Sequence, residues 1–300
     1  MSTIKKSGII TICGRPNVGK STLTNAFVGE KVAIVTNKPQ TTRNRICAIL
    51  NRGESQFVFV DTPGLHKART RLGDYMVNVV KESVSDVDAV LLLVEPIANI
   101  GAPEQELIER IKKLGCPAVL VINKVDTLEK KEALLEVMQI YNQAHQFDAV
   151  VPISAKNKEG VEELLSLLEN YLAEGPQLFP EDMVTDQPER QVMAEILREK
   201  LLLCLDKEIP HGTAVEITKF SERDDEVIEC DATIYCEKNS HKGIIIGKGG
   251  TMLKKVSSSA RRDMEKFMGT KVFLQTWVKV KENWRDNPAA IQNFGYRQDG

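Results

Sequence analysis

The chain has 300 residues, with 40 Lys+Arg against 42 Asp+Glu and a net charge of −2. Such a balance excludes a general polyanion binder, so any basic surface must be local. With 42% hydrophobic residues the chain can fill cores of ordinary size, and its length suits two domains.

Six cysteines (Cys13, Cys47, Cys116, Cys204, Cys230, Cys236) form no C-x-x-C pair, and the four histidines show no metal-ligand spacing. This argues against a disulfide scaffold and a structural zinc site, and for reduced, mostly buried thiols in a cytosolic protein. The apolar stretch before Gly14 is too short for a signal-peptide core or a membrane span, and no apolar run elsewhere reaches spanning length. Peripheral contact with the inner face of a cell membrane stays open.

In chain order, short apolar runs at Gly8–Cys13, Phe57–Val60, Ala89–Val94 and Pro117–Ile122, with a weaker one at Ala149–Ile153, predict strands. Their apolar character is continuous rather than alternating, as for strands buried on both faces. Helical patterns lie between them at Glu104–Leu114, Glu129–Ala144 and Val161–Leu172. Strand and helix in alternation imply an α/β domain with a mostly parallel sheet and helices on both faces, over residues 1–178. Residues 179–188, acidic and broken by prolines, read as a linker. Residues 189–300 carry a different order: a helix at 189–206, strands at 213–220 and 226–236, a glycine-rich turn, a helix, a strand at 271–281 and a polar tail.

The segment Gly14-Arg15-Pro16-Asn17-Val18-Gly19-Lys20-Ser21 fits G-x-x-x-x-G-K-[ST] between a predicted strand and a helix that continues through Thr22. Its backbone N–H groups can cradle phosphate, Lys20 adds a point charge, and Ser21 offers a hydroxyl to magnesium. Asp61-Thr62-Pro63-Gly64 follows the second run, where Asp61 can hold the metal through water and the Gly64 N–H can meet a γ-phosphate. Asn123-Lys124-Val125-Asp126 follows the fourth run. A carboxylate there can accept from guanine N1–H and the exocyclic amine, a donor pair adenine lacks. Ser154-Ala155-Lys156 closes the fifth run and can place a backbone N–H on the guanine oxygen. Gln40-Thr41-Thr42-Arg43 lies where a loop can close over the γ-phosphate, and either threonine can complete the magnesium shell.

This set, GRPNVGKS, QTTR, DTPG, NKVD and SAK, resembles the translation-factor-related class of small GTPases. Within it, PQTTR and DTPGLH resemble the Era family of ribosome-associated GTPases. The resemblance implies GTP and GDP as ligands, Mg2+ as cofactor and Thr42 as the switch ligand of the metal. It places Leu65, beside His66, where Ras-type proteins carry a water-orienting glutamine, which implies slow, glutamine-free hydrolysis. Asn17 stands where some relatives bind K+.

In the second half, Gly247-Lys248-Gly249-Gly250, preceded by Ile246, forms a G-x-x-G loop ahead of a helix, the backbone clamp of KH domains on single-stranded nucleic acid. Residues 241–285 hold eleven Lys or Arg, Lys254, Lys255 and Arg261 among them, against three Asp or Glu. That asymmetry gives a neutral chain one basic face. VEITKF, IGKGG, ARRDME, WVKVKENW and FGY resemble the C-terminal KH domain of Era proteins, so the likeness runs to Tyr296. It implies an α+β type II KH domain that binds small-subunit (16S) rRNA near its 3′ end in assembly of the 30S subunit, in a monomer. A C-terminal domain that binds only protein is the alternative. A single P-loop excludes tandem-domain GTPases, and NKVD argues against a P-loop kinase.

Overall fold

The computed structural model describes residues 4–64, 70–83, 87–130, 132–223 and 226–296. It forms two compact units. Unit 1 comprises Met1–Ala33, Thr42–Lys67 and Met76–Asp186; unit 2 comprises Ile34–Thr41, Ala68–Tyr75 and Gln187–Gly300.

The elements up to residue 174 are β1 (Lys6–Cys13), α1 (Lys20–Val28), β2 (Ile46–Arg52), β3 (Ser55–Asp61), α2 (Arg71–Glu82), β4 (Ala89–Val94), α3 (Ala102–Leu114), β5 (Ala118–Ile122), α4 (Ala133–Ala144), β6 (Ala149–Pro152), α5 (Val161–Leu168) and β7 (Ala173–Glu174). The sheet runs β2-β3-β1-β4-β5-β6, with β7 paired to β1. β3, β1, β4, β5 and β6 are parallel, while β2 and β7 are antiparallel to their neighbours. Every residue of β3, β4 and β5 is buried, in keeping with the apolar runs Phe57–Val60, Ala89–Val94 and Ala118–Ile122. On one face Phe27 of α1 stacks on Phe59 with ring centroids 4.2 Å apart, within a cluster that includes Leu23, Ile10, Leu164 and Leu168. On the other, Leu107, Ile108 and Ile111 of α3 and Tyr141 of α4 pack against Val90, Leu92, Leu120 and Ile122.

The sheet positions the site. Register pairs Ile12 with Asp61, Cys13 with Leu92, Val94 with Ile122 and Ile122 with Pro152, so the C-terminal ends of five strands fall along one edge. The strand order reverses at β1, between β3 and β4. A crevice at the carboxyl ends beside such a point is where open α/β sheets bind ligands.

The sequence reading missed β2, α2 and the short β7. Residues 179–188, expected as a linker, are in large part tied to the edge of the sheet. Ile49 N–H donates to the Val184 carbonyl at 2.9 Å, Thr185 Oγ1 donates to the Cys47 carbonyl at 2.8 Å, and Gln56 Oε1 accepts from the Phe179 N–H at 2.9 Å.

Unit 2 contains α6 (Glu189–Cys204), β8 (Ala214–Glu222), β9 (Ile228–Cys236), α7 (Asn239–Ile246), α8 (Thr251–Met268), β10 (Val272–Val280) and α9 (Pro288–Asn293). Its three strands lie in the order β10-β9-β8, with β10 parallel and β8 antiparallel to β9. Buried residues of α6 (Val192, Ile196, Leu197, Leu201) and α8 (Val256, Ala260, Met264) cover one face over Ile217, Cys230, Ala232 and Ile234. The apolar steps of three and four in α8 are thus the core stripe its pattern predicts. The tail read as polar is packed: Trp284 is fully buried, its Nε1–H donates to the Gly212 carbonyl at 2.9 Å, and Phe294 and Tyr296 are buried beside it. All six cysteines are free thiols.

Candidate nucleotide site and RNA-facing loop

The phosphate end of the crevice is built from the β1–α1 turn. Helix α1 opens at Gly19 with no side-chain cap, which leaves its first N–H groups directed outward, as at an anion site. Lys20 is buried, and its Nζ donates to the carbonyls of Gly14 (3.2 Å) and Arg15 (3.1 Å). Burial lowers its pKa, with Asp61 opposing the shift. A buried ammonium held, among the described residues, by carbonyl oxygens and a nearby carboxylate suits an incoming polyphosphate.

Ser21, Thr42 and Asp61 meet at one point. Ser21 Oγ lies 2.8 Å from Thr42 Oγ1 and donates to Asp61 Oδ2 at 2.6 Å. Asp61 is fully buried, its other oxygen has no hydrogen-bond partner among the described residues, and burial, opposed by Lys20, pushes its pKa up to about 6. Two hydroxyls and a buried carboxylate with an open oxygen fit a hard divalent cation such as Mg2+. The geometry also separates the two threonines. Thr41 Oγ1 lies 2.7 Å from Thr36 Oγ1 and donates to the Lys38 carbonyl at 2.6 Å, so Thr42 alone of the pair faces Ser21. Arg43 is buried rather than presented on a loop surface. Gly64 lies against the P-loop, where a Cβ at 64 would come within 2.6 Å of Pro16 Cα. Only glycine permits that approach. Thr62 and Val18 serve the fold: Thr62 Oγ1 donates to the Ile12 carbonyl at 2.9 Å, and Val18 is buried in the core. Pro63 is buried and Thr22 half-buried. Leu65 and His66 lie outside the described residues.

The base end is tied to the phosphate end by side chains. Asn123 donates to the Val18 carbonyl at 2.8 Å and accepts from the Ala155 N–H at 2.9 Å. Lys124, with φ at 65°, donates to the Asn17 carbonyl at 2.7 Å. Ser154 Oγ donates to Asp126 Oδ1 at 2.6 Å, which orients a carboxylate that is otherwise exposed. Lys156 is exposed beside it. Asn17 is exposed in the left-handed conformation, φ 65°.

Two carboxylates not singled out from sequence complete the site. Glu95 pairs with both Lys124 and Arg15 at 2.6 Å. Burial raises its pKa, but the two cations outweigh it and hold the carboxyl below its ordinary value. Glu104, buried at the start of α3, takes Arg15 Nε at 3.2 Å. Arg15 is therefore committed to carboxylates. The available signal was Glu95 at the end of a buried strand, but no motif names it.

In unit 2 the G-x-x-G loop joins α7 to α8. α7 ends at Gly247, α8 is capped by Gly250, and Gly249 sits at φ 59° with open space around its Cα. Lys248, Lys254 and Lys255 are exposed, and Ile246 is half-buried. Arg261 pairs with Glu265 at 2.6 Å and lies about 15 Å along α8 from the loop. Ile244, 49% exposed one turn before Gly247, was not singled out from sequence.

Residues 9–124 match the family model described as "50S ribosome-binding GTPase", and residues 208–285 match "KH domain". GTPase Era of Ruminiclostridium cellulolyticum is 50% identical over 292 residues, 97% of this chain and 98% of the relative. The chain belongs to the Era family of GTPases. GTPase Era of Clostridioides difficile is 49% identical over 97% of the chain and 98% of that relative. Crystal structures of a point variant of Aquifex aeolicus Era bound to GDP.AlF4- and of Era in complex with MgGDPNP and nucleotides 1506–1542 of 16S ribosomal RNA each superpose with TM-score 0.94. Each is 36% identical, with 98% of this chain and 100% of that one covered. Era architecture, a P-loop GTPase unit and a KH unit, thus accounts for almost the whole chain.

Proposed function

We propose that this chain binds and slowly hydrolyses GTP, and through its KH unit binds small-subunit rRNA near the 3′ end in assembly of the 30S subunit. The convergence of Ser21, Thr42 and the half-unpartnered Asp61 on one point carries the nucleotide part. It is supported by chain-length similarity to Era proteins, one of them solved with MgGDPNP and 16S rRNA.

Ser21 and Thr42 would ligate Mg2+ and Asp61 would hold it through water, and the ion would supply positive charge against the phosphates. Lys20 and the N–H groups of the P-loop hold the same oxygens. Asp126, oriented by Ser154, selects guanine, and the Ala155 N–H group lies beside Asn123 at the same end. Leu65 in place of glutamine offers no polar group at that position to orient the attacking water in the Ras manner. Asn17, exposed within the P-loop, is the K+ ligand in this reading. Lys248, Lys254 and Lys255 neutralise RNA phosphates, and the bare loop admits the backbone. We place the protein in the cytoplasm as a monomer, with peripheral contact at the inner membrane face. Among the described residues no helix is long and apolar enough to cross a membrane.

The test is phosphate release from GTP and from ATP by the purified chain, with binding of a single-stranded RNA copying the 16S 3′ end. Release from GTP alone, together with RNA binding, supports the proposal; ATP turnover or no RNA affinity refutes it.

A further inference from the structure

Glu95 follows β4 directly, at the end of a strand buried along its whole length. Both of its carboxylate oxygens are engaged. Oε2 accepts from Arg15 Nη2 at 2.6 Å, and Oε1 accepts from Lys124 Nζ at 2.6 Å. Arg15 belongs to the phosphate turn and Lys124 to the base-reading motif, so one carboxylate joins the two ends of the crevice, all within unit 1.

The turn is held at two points. Lys124 Nζ donates to the Asn17 carbonyl at 2.7 Å, and the carbonyl of Arg15 accepts from Lys20 Nζ at 3.1 Å. The Arg15 side chain has a second anchor: its Nε lies 3.2 Å from Glu104, a buried carboxylate in the first turn of α3. α3 packs on the sheet through Leu107, Ile108 and Ile111, so this anchor stands on a rigid element. Between the two points Asn17 holds φ 65°. A left-handed backbone is costly for a residue other than glycine and persists where its surroundings fix it.

Arg15 and Lys124 lie against one carboxylate, so without its charge two cations would face each other and repel. Lys124 would then loosen from the Asn17 carbonyl. Glutamine at 95 keeps the shape, but its amide nitrogen offers a cation no acceptor. Aspartate keeps the charge and is one methylene short of reaching both cations.

We infer that Glu95 is a positioning residue for nucleotide retention: by holding Arg15 and Lys124 together it fixes the P-loop from Arg15 to Asn17 and slows the loss of bound GDP. The inference rests on the reading of this turn as the phosphate site of a GTP-binding chain.

The test uses the full chain with Glu95→Gln, Glu95→Asp, Lys124→Met and the double variant Glu95→Gln with Lys124→Met. Release of a fluorescent GDP is followed by stopped flow at saturating magnesium, and the preference for GTP over ITP is measured alongside. Glu95→Gln is expected to speed release about fivefold, less than Lys124→Met, because the lysine itself remains. Its GTP preference over ITP should stay within about twofold of the parent, since base reading by Asp126 is untouched; a general loss of structure would erase that preference. In the double variant the acceleration should fall well short of the product of the single effects, as for residues acting through one contact. Glu95→Asp should lie between parent and Glu95→Gln, and decides the matter if Glu95→Gln does not fold. Parent-like release in the folded Glu95 variants, or fully multiplicative effects in the double variant, overturns the positioning role. A parent chain that does not retain GDP overturns the nucleotide reading itself, and the inference with it.

Discussion

Lys124 Nζ donates to the backbone carbonyl of Asn17 at 2.7 Å and, on its other side, pairs with Glu95 at 2.6 Å. One lysine of the base-reading motif therefore braces the phosphate loop. Lys124→Met removes both contacts while keeping much of the aliphatic stem. Charge-assisted bonds of this kind are worth about 1.5–3 kcal/mol each, so GDP dissociation is expected to accelerate about tenfold or more. Stopped-flow release of a fluorescent GDP checks it, and a parent-like rate contradicts the bracing role.

Guanine choice is expected to rest on Asp126. With Ser154 Oγ on one oxygen at 2.6 Å, the exposed carboxylate can accept from both guanine donors. In Asp126→Asn one acceptor becomes a donor, so GTP binding should weaken by about two orders of magnitude or more and xanthine nucleotides should gain. Competition between GTP and XTP measures this; retained GTP preference removes the assignment.

Magnesium binding should depend on pH through Asp61. Burial moves its carboxyl from 3.8 to about 6 in the nucleotide-free chain. Between those values the folded chain keeps a proton that the unfolded chain has released, so stability falls as pH rises through the window. The metal needs the deprotonated form, so its affinity falls as pH drops below about 6. The magnesium required to half-saturate GDP binding is expected to rise about tenfold from pH 7 to pH 5, beyond the change seen for GDP free in solution. A rise no larger than that for free GDP contradicts the placement of the metal at Asp61.

Hydrolysis should be faster in potassium than in sodium if the exposed Asn17, at φ 65°, helps hold a monovalent ion near the phosphates. Such an ion stabilises charge that grows in the transition state, so turnover should change more than binding. Asn17→Ala should lose the difference. Equal rates in both salts at matched ionic strength remove the ion from the account.

The buried strands were legible because β4 and β5 are apolar at every position and β3 over Phe57–Val60, and because DTPG closes β3 and NKVD follows β5. β2 was not marked out, although Ile46–Leu50 is a continuous apolar run, because it lies between the polar QTTRNR stretch and Asn51-Arg52 and leads into no nucleotide motif. α7 was hidden by Gly243 and a run of three isoleucines, which carry no helical period and merge with the glycine-rich turn. Trp284 was hidden by its polar neighbours; its burial depends on the Gly212 carbonyl, 72 residues away. The nucleotide motifs were legible because backbone geometry demands particular residues at fixed spacing. Glu95 and Glu104 were not, since what makes them matter is a partner distant in sequence and contributed by the fold.

The proposed RNA-binding loop belongs to unit 2 and the nucleotide site to unit 1, so the loop can be broken by itself. Gly249 has φ 59° and nothing around it, a conformation aspartate tolerates better than most side chains, and Lys248 beside it is exposed. Lys248→Asp with Gly249→Asp therefore places two carboxylates where phosphates must approach, without disturbing the core. Titration of a labelled single-stranded RNA copying the 16S 3′ end against parent and double variant, with circular dichroism as the folding control, is the most direct measurement. Affinity is expected to fall at least a hundredfold, well beyond the roughly 1 kcal/mol of a single surface ion pair. GTP turnover without RNA should stay within about twofold, and parent binding should weaken as salt rises. Parent-like RNA affinity in the folded double variant would contradict the account.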